Sequence, residues 1–400
     1  MKSAFHKKIL KNGMTLLFEK RDLPVVSVAF AIKTGGIHET ENNKGISHFI
    51  EHMLYKGTPK RNAKKIVDEI EKNGGDLNGF TTEIITAYYC KMPDSYLELA
   101  LDVLGDMVKN PLFDKKEFEK ERKVIFEELK MDKDNPAKYA NDEIQRLLFE
   151  KPFGIPLVGT YETMNSITKE EMVERFHEIY QPNNTILCVV GNANFKKLVK
   201  FAEKNFSNKK GKLPKFSIKR KNESRLEKRK GIDQANLVFA YHIPNYGDKK
   251  SFASLVLNTI MADGMSSRLF MEIREKRNLA YSVSGSCDLN KNFSVTSIHA
   301  GTTKEKVEEV KKIILDEFDK VAKNLDEKEL NQAKKQMIGN RQISMESSQL
   351  QMMNLLYHEV NGKAEDFYDF EKNISNVKLK DVKELAKKAK EKYSFFALVP

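Results

Sequence analysis

Beyond a polar, lysine-rich stretch at 208–234, close to the midpoint of the 400-residue chain, the order of strand-like and helix-like segments begins again. No other property of the sequence limits the fold as much, because such a return predicts a duplicated domain. In the first half a β-favouring run at 25–32 (VVSVAFAI) is broken by Gly35-Gly36. Helical patterns follow at 45–56, 62–73, 96–108 and 115–131, with strands at 83–90 and 186–190. In the second half the order is a strand at 237–242, helices at 251–261 and 267–274, and β-like runs at 281–285 and 293–299. Helices at 304–321 and 327–345 come next, and an apolar run at 395–399 closes the chain. The register that sets Asp114 against Asp326 aligns two charged helices of the halves. This pattern predicts an α+β fold of two homologous domains, each a mainly antiparallel β-sheet packed against helices. The expected boundaries are 1–210 for the N-terminal domain, 211–234 for a linker and 235–400 for the C-terminal domain.

Composition narrows the function classes more than it identifies one. The net charge of +12 comes from 69 Lys+Arg against 57 Asp+Glu, interleaved along the chain. That reads as a solvated lysine-rich surface, and with no arginine–aromatic platform it does not predict a nucleic-acid partner. Cys90, Cys188 and Cys287 form no close-spaced pair, which fits a reducing, cytoplasmic compartment. There is no run of about 18 apolar residues, so no membrane-spanning helix is expected. The basic start lacks a continuous apolar stretch and a small-residue cleavage site, so a signal peptide is not expected either.

The chemistry concentrates in His48-Phe-Ile-Glu51-His52. Residues four apart lie on one face of a helix, so both imidazoles can address one ion. Two neutral nitrogens suit Zn²⁺, which takes a third protein ligand and keeps a position open. Glu51, three residues after His48 and adjacent to His52, can serve as general base without entering the ligand set. Ionisable groups on a helix whose Phe49, Ile50, Met53 and Leu54 are apolar need a strong reason to be there. Glu121 and Glu128, two turns apart on one face of the 115–131 helix, are the candidates for the third ligand and a supporting carboxylate. Spacing alone does not say which is which.

The stretch GISHFIEHMLYKGT, followed by ERKVIFEE, resembles the M16 zinc metallopeptidases, the family of pitrilysin and the mitochondrial processing peptidases. The resemblance implies one zinc per chain held by His48, His52 and Glu128, with Glu51 as general base and Glu121 as supporting carboxylate. In the second half, Arg274-Glu-Lys-Arg-Asn-Leu-Ala-Tyr281 resembles the family's R-x-x-x-x-x-x-Y segment. By that likeness Arg274 and Tyr281 hold the scissile carbonyl, a role suited to a guanidinium and a phenol as donors. That half lacks the metal set: in the duplicated register Ala333 answers to Glu121 and Asn340 to Glu128, and no histidine lies at 251–255.

Asn73-Gly-Gly-Asp-Leu-Asn78-Gly-Phe80-Thr-Thr-Glu83 is similar to the family stretch that lines the substrate cleft. Asn78, Phe80 and Thr82 are therefore expected to contact substrate, with an extended peptide adding beside 82–85. Gly79-Phe80 departs from the Ala-x that often follows this asparagine. The expected activity is zinc-dependent endopeptidase action on short or unfolded polypeptides. Two domains are half of a pitrilysin-like chain, so the resemblance implies a dimeric chamber. A homodimer is expected, with a heterodimer containing an inactive homologue as the alternative. The competing function is a noncatalytic peptide-binding or scaffold subunit, but such a chain is expected to lose members of the zinc set, and all are present.

Overall fold

The runs VVSVAFAI and TILCVVG contain almost no charged or strongly polar side chain, and strands of that kind need both faces covered. The computed structural model describes residues 4–400 and supplies that cover. The chain divides into two compact units of three segments each.

The first unit comprises the residues up to Leu129, Pro156–Ser217 and Ser344–Tyr368. Its strands are β1 (Phe5–Ile9), β2 (Thr15–Lys20), β3 (Val25–Ile32), β4 (Asp76–Thr81), β5 (Thr86–Pro93) and β6 (Thr185–Gly191). They form one sheet in the order β1-β2-β6-β3-β5-β4, antiparallel throughout except for the parallel pair β2–β6. Side chains alternate between its faces. Leu16, Phe18, Val28 and Phe30 join a core with the helices α1 (Ile46–Leu54), α2 (Ala63–Glu71), α3 (Leu97–Lys109) and α4 (Lys115–Asp134). On the other face Leu17, Ala29, Ala31 and Cys188 meet Met352, Leu355 and Leu356 of the helix Ser348–Asn361. Buried Glu19 fastens that segment, accepting bonds from Gln351 Nε2 (2.6 Å), Arg21 Nε (3.0 Å) and the Tyr368 hydroxyl.

The second unit comprises Lys130–Ile155, Ile218–Ile343 and Asp369–Pro400. Strands β7 (Ser224–Lys228), β8 (Ala235–His242), β9 (Ala280–Leu289), β10 (Ser294–Thr302) and β11 (Ser394–Val399) take the order β7-β11-β8-β10-β9. Only β7–β11 is parallel. The order and directions of β2-β6-β3-β5-β4 are thus repeated, and the duplication is plain in the topology. Helix α5 (Pro136–Leu148), from the first half of the sequence, packs on β8 and β11. Each unit therefore takes a segment from the other half, an interleaving that a boundary through 211–234 does not convey.

Three local differences from the sequence expectations have physical causes. The stretch read as a linker contains β7, an edge strand (SRLEK) whose charges protect it from further pairing and hide it from a β-pattern search. β4 (DLNGFT) is rich in strand-poor residues and occupies the other kind of disguised position, the sheet's outer edge. Residues 82–85 are a turn and not part of a strand: Thr82 N donates to Ile85 O at 2.8 Å, and Ile85 N donates to Thr82 Oγ1 at 3.2 Å. The edge of the sheet at this end is therefore β4 itself. No described helix is long and apolar enough to cross a membrane.

Candidate active site

Helix α1 begins at Gly45, whose φ of +96° and close approach to Val158 O leave no room for a Cβ. With no side chain to cap the helix, the cap comes from Glu39, which accepts from Gly45 N (3.0 Å) and Ser47 N (2.8 Å). Fully buried Lys44 pairs with Glu39 (3.8 Å) and Glu83 (3.3 Å) and donates to Gly36 O at 3.0 Å. The start of α1 is thus fixed by a buried ionic network. Glu39→Ala strands two backbone donors and removes a buried partner of Lys44. The expected cost is about 3–5 kcal/mol of unfolding free energy, read from urea titration of the purified protein.

From that fixed start, Phe49, Ile50, Met53 and Leu54 anchor α1 in the core, and His48, Glu51 and His52 emerge together on its half-buried side. The two imidazole centroids lie 4.6 Å apart. α4 brings Glu128 opposite them: His52 Nε2 is 3.6 Å from Glu128 Oε1, and His48 Nε2 is 3.8 Å from Glu128 Oε2. One donor atom from each of His48, His52 and Glu128 falls within 4.8 Å of the others. Glu121, buried on the same helix, approaches the far nitrogen, His52 Nδ1, at 3.1 Å. Its other oxygen pairs with Lys56 at 2.6 Å. Glu121 therefore orients His52 and leaves Nε2 facing Glu128.

The electrostatics suit a cation between these residues. Burial, reinforced by His52, lowers the His48 pKa to about 3, so this imidazole is neutral and has a lone pair to give. Burial also opposes charge on His52, but the bond to Glu121 and the neighbouring Glu128 and Glu51 outweigh it and raise its pKa. The cluster thus gathers carboxylates that favour positive charge beside an imidazole that cannot supply it. Two imidazole nitrogens and one carboxylate are a donor set that would hold a zinc ion. Glu51 stands outside the set. Burial raises its pKa, and Thr81 Oγ1 donates to its Oε2 at 2.6 Å.

The remaining expected residues fall in two places. Asn78 and Phe80 are on β4, on the face turned away from Glu51. Asn78 Oδ1 accepts from Gly79 N at 2.9 Å, and Phe80 packs near Tyr89, 6.1 Å between centroids. Thr82 caps the turn after β4. In the second unit, Arg274 closes the π-helical turn Phe270–Glu275 and Tyr281 lies at the start of β9. The Arg274 guanidinium stacks 5.1 Å above the Tyr281 ring, which is 79% exposed. Arg277, three residues after Arg274, lies 3.7 Å from Glu272. Sequence reasoning passed over Lys56, Thr81 and Tyr55, and it noted Gly79 without linking it to Glu51. Only Lys56, one turn beyond His52, left a signal in its spacing.

Comparison with known proteins agrees with this arrangement. Residues 15–161 match the model of the insulinase family, peptidase family M16, and residues 166–337 match that of the peptidase M16 inactive domain. The Bacillus subtilis zinc protease YmxG is 32% identical over 347 residues, covering 86% of this chain and 85% of its own. A Rickettsia felis zinc protease is 32% identical over 350 residues, with coverage of 86% and 85%. The crystal structure of a protease from Helicobacter pylori superposes with a TM-score of 0.92 at 21% identity and covers 99% of both chains, which shows a shared fold. A histidine pair with an adjacent glutamate on α1, inside the span matched by the insulinase model and followed by the inactive-domain match, together with relatives 32% identical over most of both chains, places this chain in the insulinase family of metallopeptidases, peptidase family M16.

Proposed function

We propose that the chain is a zinc endopeptidase that cuts internal bonds of short or unfolded polypeptides, with His48, His52 and Glu128 as the metal ligands. The observation that carries this reading is the convergence of those three donors within 4.8 Å, with Glu51 beside them and outside the set. Bound zinc supplies Lewis-acid polarisation of the scissile carbonyl and a more acidic water. Glu51 takes a proton from the attacking water and returns it to the leaving amine. Glu121 holds the His52 tautomer that presents Nε2. Arg274 and Tyr281 donate hydrogen bonds to the carbonyl oxygen as it gains charge. An extended peptide adds to the edge strand β4 through main-chain bonds, with Asn78, Phe80 and Thr82 as its flanking contacts.

Two chains pair as a homodimer around a closed chamber in this reading, or as a heterodimer with an inactive homologue. A cytoplasmic setting is supported by Cys90, Cys188 and Cys287, which are all free thiols. The test is cleavage of an unstructured peptide, with products identified by mass spectrometry. Internal cuts that disappear on chelation and return on adding one zinc per chain are the expected result. Cleavage that persists in metal-free protein would sink the reading.

A further inference from the structure

β4 shows its residues alternately to the two sides of the sheet. Leu77 packs in the cluster that contains α1, and Phe80 packs in the cluster on the opposite face. Gly79 and Thr81 share the α1 side with Leu77, and both touch the surroundings of the Glu51 carboxylate. Thr81 Oγ1 donates to Oε2 at 2.6 Å. A Cβ at Gly79 would lie 3.1 Å from Oε1 and 2.5 Å from the Tyr55 hydroxyl. That hydroxyl is buried with no hydrogen-bond partner among the described residues. The slot therefore holds two polar atoms against bare backbone, and what Gly79 supplies is space.

The neighbours of Thr81 fix the direction of its bond. Thr86 lies opposite Thr81 in the ladder and gives its own proton to Thr34 O at 3.1 Å. The single Thr81 proton could go to Thr86 Oγ1 at 3.4 Å or to the carboxylate at 2.6 Å, and the shorter, charge-assisted bond prevails. The donor is a β-branched residue with a stiff χ1, mounted in a sheet. Glu51, by contrast, has torsional freedom that a general base must lose before it can act efficiently.

We propose that Thr81 is a positioning residue for peptide hydrolysis: it anchors Glu51 Oε2 so that Oε1, in the slot left by Gly79, is the oxygen that exchanges the proton. This rests on Glu51 being the general base. Because β4 is also the strand to which the peptide adds, the base and the substrate register share one support. A peptide seated on β4 is then automatically in register with the oxygen that serves it.

The test compares T81V, T81S, E51Q and the E51Q/T81V double variant on one unstructured peptide. T81V is expected to lower kcat by roughly 10- to 100-fold, with KM within about threefold of the wild type. T81S, which restores the hydroxyl, is expected to recover kcat to within about fivefold. In E51Q/T81V the second change adds nothing beyond about twofold, because both act through one group. Zinc content stays at one per chain in every variant. In zinc-free crystals the Glu51 carboxylate leaves the Gly79–Tyr55 slot in T81V and keeps its place in T81S. If T81V does not fold, T81A and Gly79→Ala, which crowds Oε1 directly, carry the same expectation for kcat. Wild-type kcat in T81V, or T81S as slow as T81V, overturns the proposal. An E51Q enzyme as fast as the wild type would instead remove the base assignment itself, whatever the Thr81 variants do.

Discussion

Glu51→Gln is expected to reduce kcat by roughly 10³-fold or more while one zinc stays bound and the protein stays folded. Glutamine keeps the length of the side chain and still accepts the Thr81 bond through its amide oxygen, so the site loses a proton acceptor and little else. Zinc content is insulated because the converging donors are His48, His52 and Glu128. Stability should not fall. Burial raises the Glu51 pKa, which means that its charged form is disfavoured in the folded protein relative to the unfolded one. The stability contributed by the neutral carboxyl is present at low pH and is lost as the pH rises through the folded pKa. A neutral glutamine removes that penalty near pH 7, so Tm in the zinc-free state is expected to stay level or rise. Peptide turnover, metal analysis and thermal denaturation together check this. Full turnover by E51Q protein would rule out Glu51 as the base, whereas lost zinc would mean that Glu51 is a ligand.

The contrast between Glu51 and its surroundings shows why part of the site could be read from sequence and part could not. His48, Glu51 and His52 sit within one helical turn, and helical periodicity translates directly into a shared face. Glu121 and Glu128 repeat the same rule on a second helix. Their division of labour came from the family resemblance and not from the spacing, because it depends on how α4 lies against α1: Glu128 faces both imidazole Nε2 atoms, while Glu121 reaches His52 Nδ1. The approach of Thr81 and Gly79 to Glu51 was hidden for another reason. They reach Glu51 through strand pairing, and the strand that carries them is an edge of Asp, Asn and Gly that propensity reads as a loop. The fold divides in the same way. The repeated order of elements showed that there were two sheets, since buried strands such as 25–32 and 186–190 announce themselves. The interleaving did not show, because nothing in the periodicity of α5 or of 348–361 says which sheet an amphipathic helix will cover.

The largest effect expected in the second unit comes from Arg274→Ala combined with Tyr281→Phe, a loss of roughly 10²–10³-fold in kcat/KM with unchanged zinc. The two side chains contribute little to folding: Tyr281 is 79% exposed, and the guanidinium lies over its ring in a contact of about 0.5–1 kcal/mol. An exposed phenol with an arginine stacked on its face is accessible to a substrate carbonyl, as the proposed role requires. If the chains pair and the clamp of one serves the zinc of the other, a defect in either element can be complemented. Mixing E51Q chains with R274A/Y281F chains joins an intact zinc site to an intact clamp in each heterodimer. Random exchange makes half of the dimers mixed, each with one competent site of two, so activity should return to about a quarter of wild type. Each parent alone should remain nearly inactive. Recovery at that level, rising and falling with the mixing ratio, is the expected outcome. No recovery after exchange has been demonstrated by native mass spectrometry would overturn the shared site. A clamp inactive in its own chain yet functional in the mixture can arise only if the residues that hold the carbonyl and the residues that hold the metal meet across two chains.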